Sequence, residues 1–133
     1  MPDSALTITV DASSAKASLT VAALLGPEVF NRALRGIVND IKKDSMRRTP
    51  VKTGALRGSH EVIGPIGTYP DIGFKIQVGG SAAPYAIFVH EVLPPAVHHP
   101  NGEAKFLENA VIEGTKDIEA KMEKAIYLIK AGL

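Results

Sequence analysis

Hydrophobic and polar residues follow two different periods along this chain, and the two periods predict a mixed architecture. The segment Leu6-Thr7-Ile8-Thr9-Val10 alternates with period two and is rich in β-branched residues, which predicts a short strand. From Pro27 to Arg48 apolar residues recur at helical spacing, and Thr49-Pro50 follows, which predicts one long helix. A stripe spaced by threes and fours, between Leu107 and Ile129, predicts an amphipathic C-terminal helix of about 25 residues.

The middle of the chain, residues 51–102, has no helical period and is rich in glycine and proline. Three strands are predicted there: His60-Glu61-Val62-Ile63, Phe74-Lys75-Ile76-Gln77-Val78 and Tyr85-Ala86-Ile87-Phe88-Val89-His90. Residues 64–73 are predicted to form turns and residues 91–102 a long loop, while residues 13–25 favour a short helix. The predicted fold class is α+β, a small antiparallel sheet packed with two long helices in a single domain of residues 1–133.

Composition narrows the classes of function that this fold can serve. The 133 residues carry 15 Lys and Arg against 14 Asp and Glu, and a formal net charge of +1 predicts no attraction of the whole protein to nucleic acid or membrane. The absence of cysteine excludes a disulfide framework, a thiol nucleophile and a cysteine-ligated metal site. No apolar stretch approaches the length of a membrane span, and Met1-Pro2-Asp3-Ser4 lacks the features of a signal peptide, so we expect a soluble protein.

Few side chains point to catalysis. The proline-rich loop carries His98 and His99, and together with His90 these allow a metal-dependent hydrolase as an alternative. No HExxH motif or paired acidic motif accompanies them, which weakens this interpretation. No serine lies in a Gly-x-Ser-x-Gly elbow, and the glycines Gly54 and Gly58 lack the spacing of a phosphate-binding loop. We therefore expect a non-enzymatic protein with no catalytic residue, no cofactor and no metal ion.

One local cluster of charge departs from the nearly neutral total. Six basic residues fall within 16 positions around a single acid, Asp44; they are Lys42, Lys43, Arg47, Arg48, Lys52 and Arg57. Cations near the end of a helix compensate the helix dipole, and this interpretation is favoured over contact with nucleic acid or an acidic partner. A small DNA-binding module stays open as a second alternative function.

Three segments resemble, in collinear order, the small tail-completion or neck proteins of long-tailed bacteriophages. Thr49-Pro50-Val51-Lys52-Thr53-Gly54-Ala55-Leu56-Arg57-Gly58-Ser59 resembles the run that leads from a long helix of that family into its sheet. Pro84-Tyr85-Ala86-Ile87-Phe88-Val89-His90-Glu91 resembles its Tyr-Ala strand that ends in glutamate. His99-Pro100 with Lys105-Phe106-Leu107-Glu108-Asn109-Ala110 resembles its loop and the start of its last helix. The resemblance covers about residues 27–130, although Val92-Leu93-Pro94-Pro95 replaces the glycine that usually follows the strand glutamate.

The resemblance implies a structural protein of the virion, assembled in the host cytoplasm and located in the neck or tail. Copies are expected to form a ring, six-fold to match a tail tube, between the portal or connector and the tube. The implied partners are further copies, other neck, connector and tail proteins, and genomic DNA in the ring lumen, with no membrane.

Two sets of residues follow from this interpretation. Loops 64–73 and 91–102 are the expected interface elements, and the residues expected to contact a partner or DNA are Arg47, Arg48, Lys52, Arg57, Tyr69, Val92, Leu93, His98 and His99. The residues expected to be structural are Thr53, Gly54, Leu56, Tyr85, Phe106 and Leu107.

Overall fold

A computed structural model describes residues 6–11, 27–50, 54–68, 71–80, 86–91 and 105–132. In these ranges the elements are β1 (Leu6–Asp11), α1 (Pro27–Arg48), α2 (Ala55–Gly58), β2 (Glu61–Thr68), β3 (Asp71–Val78), α3 (Ala86–Glu91), α4 (Phe106–Gly114) and α5 (Ile118–Lys130). A three-stranded antiparallel sheet packs with these helices, which confirms the predicted α+β class. The predicted short helix at residues 13–25 lies outside the described residues.

The long helix α1 has the bounds that the sequence predicts. Pro27 is compatible with the first helical position because its missing N–H has no partner in that turn, and Glu28 and Arg47 suit the two ends of the helix dipole. One face of α1 is fully buried, with Phe30 and Leu34 both at 0% exposure. This face places α1 at the centre of the fold, in contact with the sheet, α4 and α5.

The sheet has the order β1-β3-β2, so the last of the three described strands is the central one. Both neighbours of β3 are antiparallel to it, with Leu6 opposite Val78 and Glu61 opposite Gln77. Alternate residues of β3 are buried, as the period of a strand requires, and they form the sheet's contribution to the core: Ile72, Phe74, Ile76 and Val78.

The turn predicted at residues 64–73 is wrong for most of its length. Strand β2 continues to Thr68 and β3 already begins at Asp71, so the two strands form a longer hairpin than the sequence predicts. The register is irregular between Ile63 and Ile66. Pro65 lies within this irregular stretch; it has no N–H to donate and is tolerated at such a position of an edge strand.

The strand predicted at residues 85–90 is also wrong, because residues 86–91 form helix α3. Aromatic and β-branched residues in this run favour a strand, yet a short apolar run does not distinguish the two periods. Ala86 and His90 lie four residues apart and are both buried, so a helix brings both onto one covered face.

The single C-terminal helix predicted from Leu107 onward is two helices. Helix α4 ends at Gly114, and α5 begins at Ile118 after Asp117, which has the positive φ of 51°. The hydroxyl of Thr115 donates a hydrogen bond of 2.7 Å to the carbonyl of Val111 at this break. The apolar stripe still faces the core in both helices, since Leu107 and Met122 each have 0% exposure.

Candidate partner interface

The basic residues at the end of α1 are joined to one acid. Arg47 Nη2 lies 2.6 Å from Asp44 Oδ1, and Arg48 Nε lies 2.9 Å from Asp44 Oδ2. The side chain of Arg47 is 71% exposed, whereas that of Arg48 is only 19% exposed. Because a single carboxylate accepts from both guanidinium groups, it offsets part of the positive charge that the sequence places there.

Arg57 lies apart from that ion pair, on the short helix α2. It is half-buried, and its Nε atom is buried without a hydrogen-bond partner. Gly54 precedes α2 with φ of 85°, a conformation that favours glycine, and Leu56 turns into the core. The remaining residues predicted to contact a partner lie outside the described residues: Lys52, Tyr69, Val92, Leu93, His98 and His99.

A buried serine–histidine pair is a feature that the sequence reasoning missed. Ser45 Oγ lies 2.7 Å from His60 Nε2, and His60 Nδ1 lies 2.9 Å from the carbonyl oxygen of Arg57. The carbonyl can only accept, so it fixes the proton on Nδ1, and Nε2 then accepts from the serine hydroxyl. Burial lowers the pKa of His60, which keeps this neutral form at physiological pH.

A serine bonded to a histidine can be a nucleophile and its base, but here the surroundings indicate a structural role. Ser45 has 0% exposure, and neither side chain lines the groove described below. One signal for the contact was present in the sequence. Ser45 follows Ile41 by four positions on the apolar stripe of α1, and a polar side chain on a buried face needs a partner.

A second polar cluster joins α3 to the start of α4. The backbone N–H of Glu108 donates to His90 Nε2 over 3.2 Å, and His90 Nδ1 lies 2.9 Å from Glu91 Oε1. Glu91 also forms an ion pair with Lys105, whose backbone N–H donates to the carbonyl of His90 over 2.7 Å. Hydrogen bonds from Lys105 and His90 lower the pKa of Glu91, and the bond to Glu91 raises that of Lys105.

Phe106 connects the two histidine clusters. Its ring is fully buried, with the centroid 5.0 Å from that of His90 in a T-shaped arrangement and 6.0 Å from that of His60. The sequence singled out His90 as a candidate metal ligand, whereas the structure uses it in packing and hydrogen bonding. Within the part of the chain that the structure describes, no three metal-ligating side chains come together.

A groove of about 640 Å³ runs between α1 on one side and α4 and α5 on the other. Small and apolar residues that are buried or partly buried form its floor, among them Ala33, Ile37, Ala110, Ala125 and Ile129. Its rim carries charges of both signs, from Arg32, Asp40, Asp44, Glu113, Lys121 and Lys124. A groove with an apolar floor and a charged rim suits an apolar segment of another chain better than a charged ligand.

The hairpin of β2 and β3 provides a second exposed surface. Residues 65–68 at the end of β2 are all exposed and uncharged, and Ile66 is 44% exposed. Arg35 of α1 fixes the hairpin from below, because its guanidinium lies 5.0 Å from the centroid of the Phe74 ring and donates to the Gly64 carbonyl over 3.1 Å. Gly36, the next residue, lines the groove, so the hairpin and the groove lie on different sides of α1.

Comparison with family models, with curated proteins and with solved structures gives no match for this chain. Among the described helices, none combines the length and the apolar character needed to cross a membrane.

Proposed function

We propose that this protein is a non-enzymatic structural subunit of a bacteriophage neck or tail, one copy of a ring between the portal or connector and the tail tube. The observation that carries the proposal is that the three segments of the resemblance contact other elements through their own side chains. Glu91 of the second segment pairs with Lys105 of the third. Ser59 of the first accepts a hydrogen bond of 2.9 Å from the N–H of Gly79 after β3.

Residues of the three segments that carry the resemblance have structural roles. Leu56, Phe106 and Leu107 are buried, at 3%, 0% and 0% exposure, and none of them lines the groove between α1 and the α4 and α5 helices. Residues that hold elements together, rather than present reactive groups, support a structural protein over an enzyme. Within the described residues the two alternatives have less support, because the arginines at 47 and 48 share Asp44 and His90 is already bonded on both ring nitrogens.

A ring of identical subunits requires two different complementary surfaces on each copy. In the proposed ring, the uncharged end of the hairpin around Ile66 occupies the groove between α1 and the α4 and α5 helices of the next copy. The pairing matches an exposed apolar strand end with an apolar floor, and the two surfaces lie on different sides of α1. Contact of this kind runs head to tail and closes into a ring when the rotation between copies permits.

The function is tested by placing a stop codon in the gene and imaging the lysate by electron microscopy. We expect separate DNA-filled heads and free tails, with infectious particles restored when the purified protein is added. Intact infectious particles without the protein would overturn the proposal.

A matched pair of variants tests the ring contact. Ile66→Lys should prevent rescue, whereas Ile112→Lys, at a position that is 54% exposed but outside the hairpin and the groove, should rescue normally. Equal rescue by both variants would leave the neck function in place and refute the hairpin contact.

A further inference from the structure

Helix α4 begins without a cap from its own sequence. Lys105 occupies the N-cap position with φ of 58°, and its side chain makes no capping hydrogen bond. The first N–H groups of a helix have no partner within the helix and need one from elsewhere. The N–H of Glu108, in the first turn of α4, finds that partner in His90 Nε2 at 3.2 Å. The cap of α4 is therefore a histidine contributed by α3.

A histidine can fill this role only while Nε2 carries no proton. The other nitrogen, Nδ1, lies 2.9 Å from the carboxylate of Glu91, which can only accept, so the ring proton belongs on Nδ1. His90 has 2% exposure, which leaves the ring little access to water that could replace either bond. The geometry thus selects one tautomer of the neutral imidazole.

We propose that His90 is an acid-sensitive cap, and that protonation of Nε2 releases the first turn of α4 from α3. A protonated Nε2 is a donor facing another donor, the N–H of Glu108, so the capping bond is lost. The added charge also lies at the positive end of the helix dipole, where cations are disfavoured. Uncapping the turn removes a contact that holds Phe106, the first residue of α4, against His90.

Charged and titratable groups surround His90 on both packed elements. Glu91 lies 2.9 Å from Nδ1, and its carboxylate also forms an ion pair with Lys105. Glu108 belongs to α4 and lies within reach of the Lys105 ammonium at 3.7 Å. His60, on the far side of Phe106, must also be neutral to accept from Ser45. Acidification therefore affects hydrogen bonds on both sides of the Phe106 side chain. This pH-dependent cap goes beyond the proposed assembly of subunits into a ring, because it makes the contact between α3 and α4 depend on pH.

The test is amide hydrogen exchange and histidine titration by NMR on the full chain, from about pH 8 to about pH 5. Corrected for intrinsic exchange rates, protection of the Glu108 amide should fall about tenfold more than that of Val38 in α1, which reports the stability of the whole protein, and the difference should follow the His90 titration. His90→Gln retains an acceptor oxygen but cannot titrate, so in this variant Glu108 protection should change with pH only as much as that of Val38. His60→Gln is the matched control and should keep the dependence.

Two results would overturn the proposal. One is a titration of His90 in the unmodified protein with no change in Glu108 protection, which needs no variant and so does not depend on how His90→Gln folds. The other is the same acid-induced loss of protection in His90→Gln as in the unmodified protein.

Discussion

Gly114 at the end of α4 lies so close to Ile41 of α1 that a Cβ atom at position 114 would overlap Cγ1 of the isoleucine. Ile41 has 1% exposure and belongs to the buried face of α1, so it has little space into which to move. Glycine therefore sets the distance at which α4 crosses α1. The backbone of Gly114 does not need a positive φ, which makes the requirement steric rather than conformational.

We expect Gly114→Ala to lower the free energy of unfolding by about 1–3 kcal/mol, the usual cost of an overpacked contact. Gly36→Ala in the interior of α1 is the matched control, because a Cβ there meets nothing within 4 Å. That control should raise the free energy of unfolding by about 0.5–1 kcal/mol, since alanine is the better helix former. Urea unfolding measures both, and a Gly114→Ala protein as stable as the parent would contradict the packing argument.

Ser45→Ala should remove the donor that His60 Nε2 uses in the interior. A buried acceptor left without its partner typically costs about 1–3 kcal/mol. Lys43→Ala, at an exposed position of the same helix, should change the free energy of unfolding by less than about 0.5 kcal/mol. Equal effects of the two substitutions in denaturant unfolding would show that the Ser45–His60 bond does not contribute to stability.

Stability should depend on pH through His60. Burial lowers its pKa below the ordinary value of 6.5, with Lys42 and Arg57 acting in the same direction, although hydrogen bonds to backbone carbonyls oppose them. Between the lowered pKa and 6.5 the unfolded chain binds more protons than the folded one, so the free energy of unfolding rises with pH. The contribution is therefore complete above 6.5 and is lost as the pH falls through the folded pKa.

The measurement is urea unfolding of the parent and His60→Gln at several pH values across this window. We expect the parent to lose stability more steeply on acidification than the variant, which has no titrating group at position 60. The same slope in both proteins would assign the pH dependence to other groups.

Arg35→Lys should weaken the connection between α1 and the hairpin. Lysine cannot place a planar guanidinium over the Phe74 ring while donating to the Gly64 carbonyl, and exposed contacts of this kind contribute about 0.5–1 kcal/mol. Arg32→Lys, exposed on the groove rim of the same helix, is the matched control. Unfolding experiments with equal midpoints for both variants would refute a specific role for Arg35.

The sequence predicts correctly those elements whose ends carry boundary residues or whose buried face follows a regular apolar period. Pro27 and the Thr49-Pro50 pair delimit α1, and the apolar stripe between them fixes its buried side. The strict alternation of residues 6–10 similarly matches β1 and its pairing with β3. In both segments local preference and burial favour the same conformation, which is why local reasoning suffices.

The wrong predictions fall where tertiary contacts override local preference. The run from Ala86 to His90 has strand-forming residues, yet His90 must meet both Phe106 and the N–H of Glu108, and a helix brings it there. At the break after Gly114 the apolar period continues, so periodicity alone shows one helix. The Ser45–His60 pair depends on the turn of the chain through α2, a path that no local pattern of residues encodes.

The order β1-β3-β2 has a consequence for the order in which the strands can pair during synthesis. Among the described strands, β1 precedes the other two in the sequence and pairs with β3 alone, and Leu6 lies opposite Val78 across more than half of the chain. The β2–β3 hairpin is local and can close as soon as both strands have emerged, whereas β1 must wait for it with its edge groups unpaired. We therefore expect β1 to be the last of the three described strands to join the sheet, and to be the strand that a neighbouring copy can exchange during assembly.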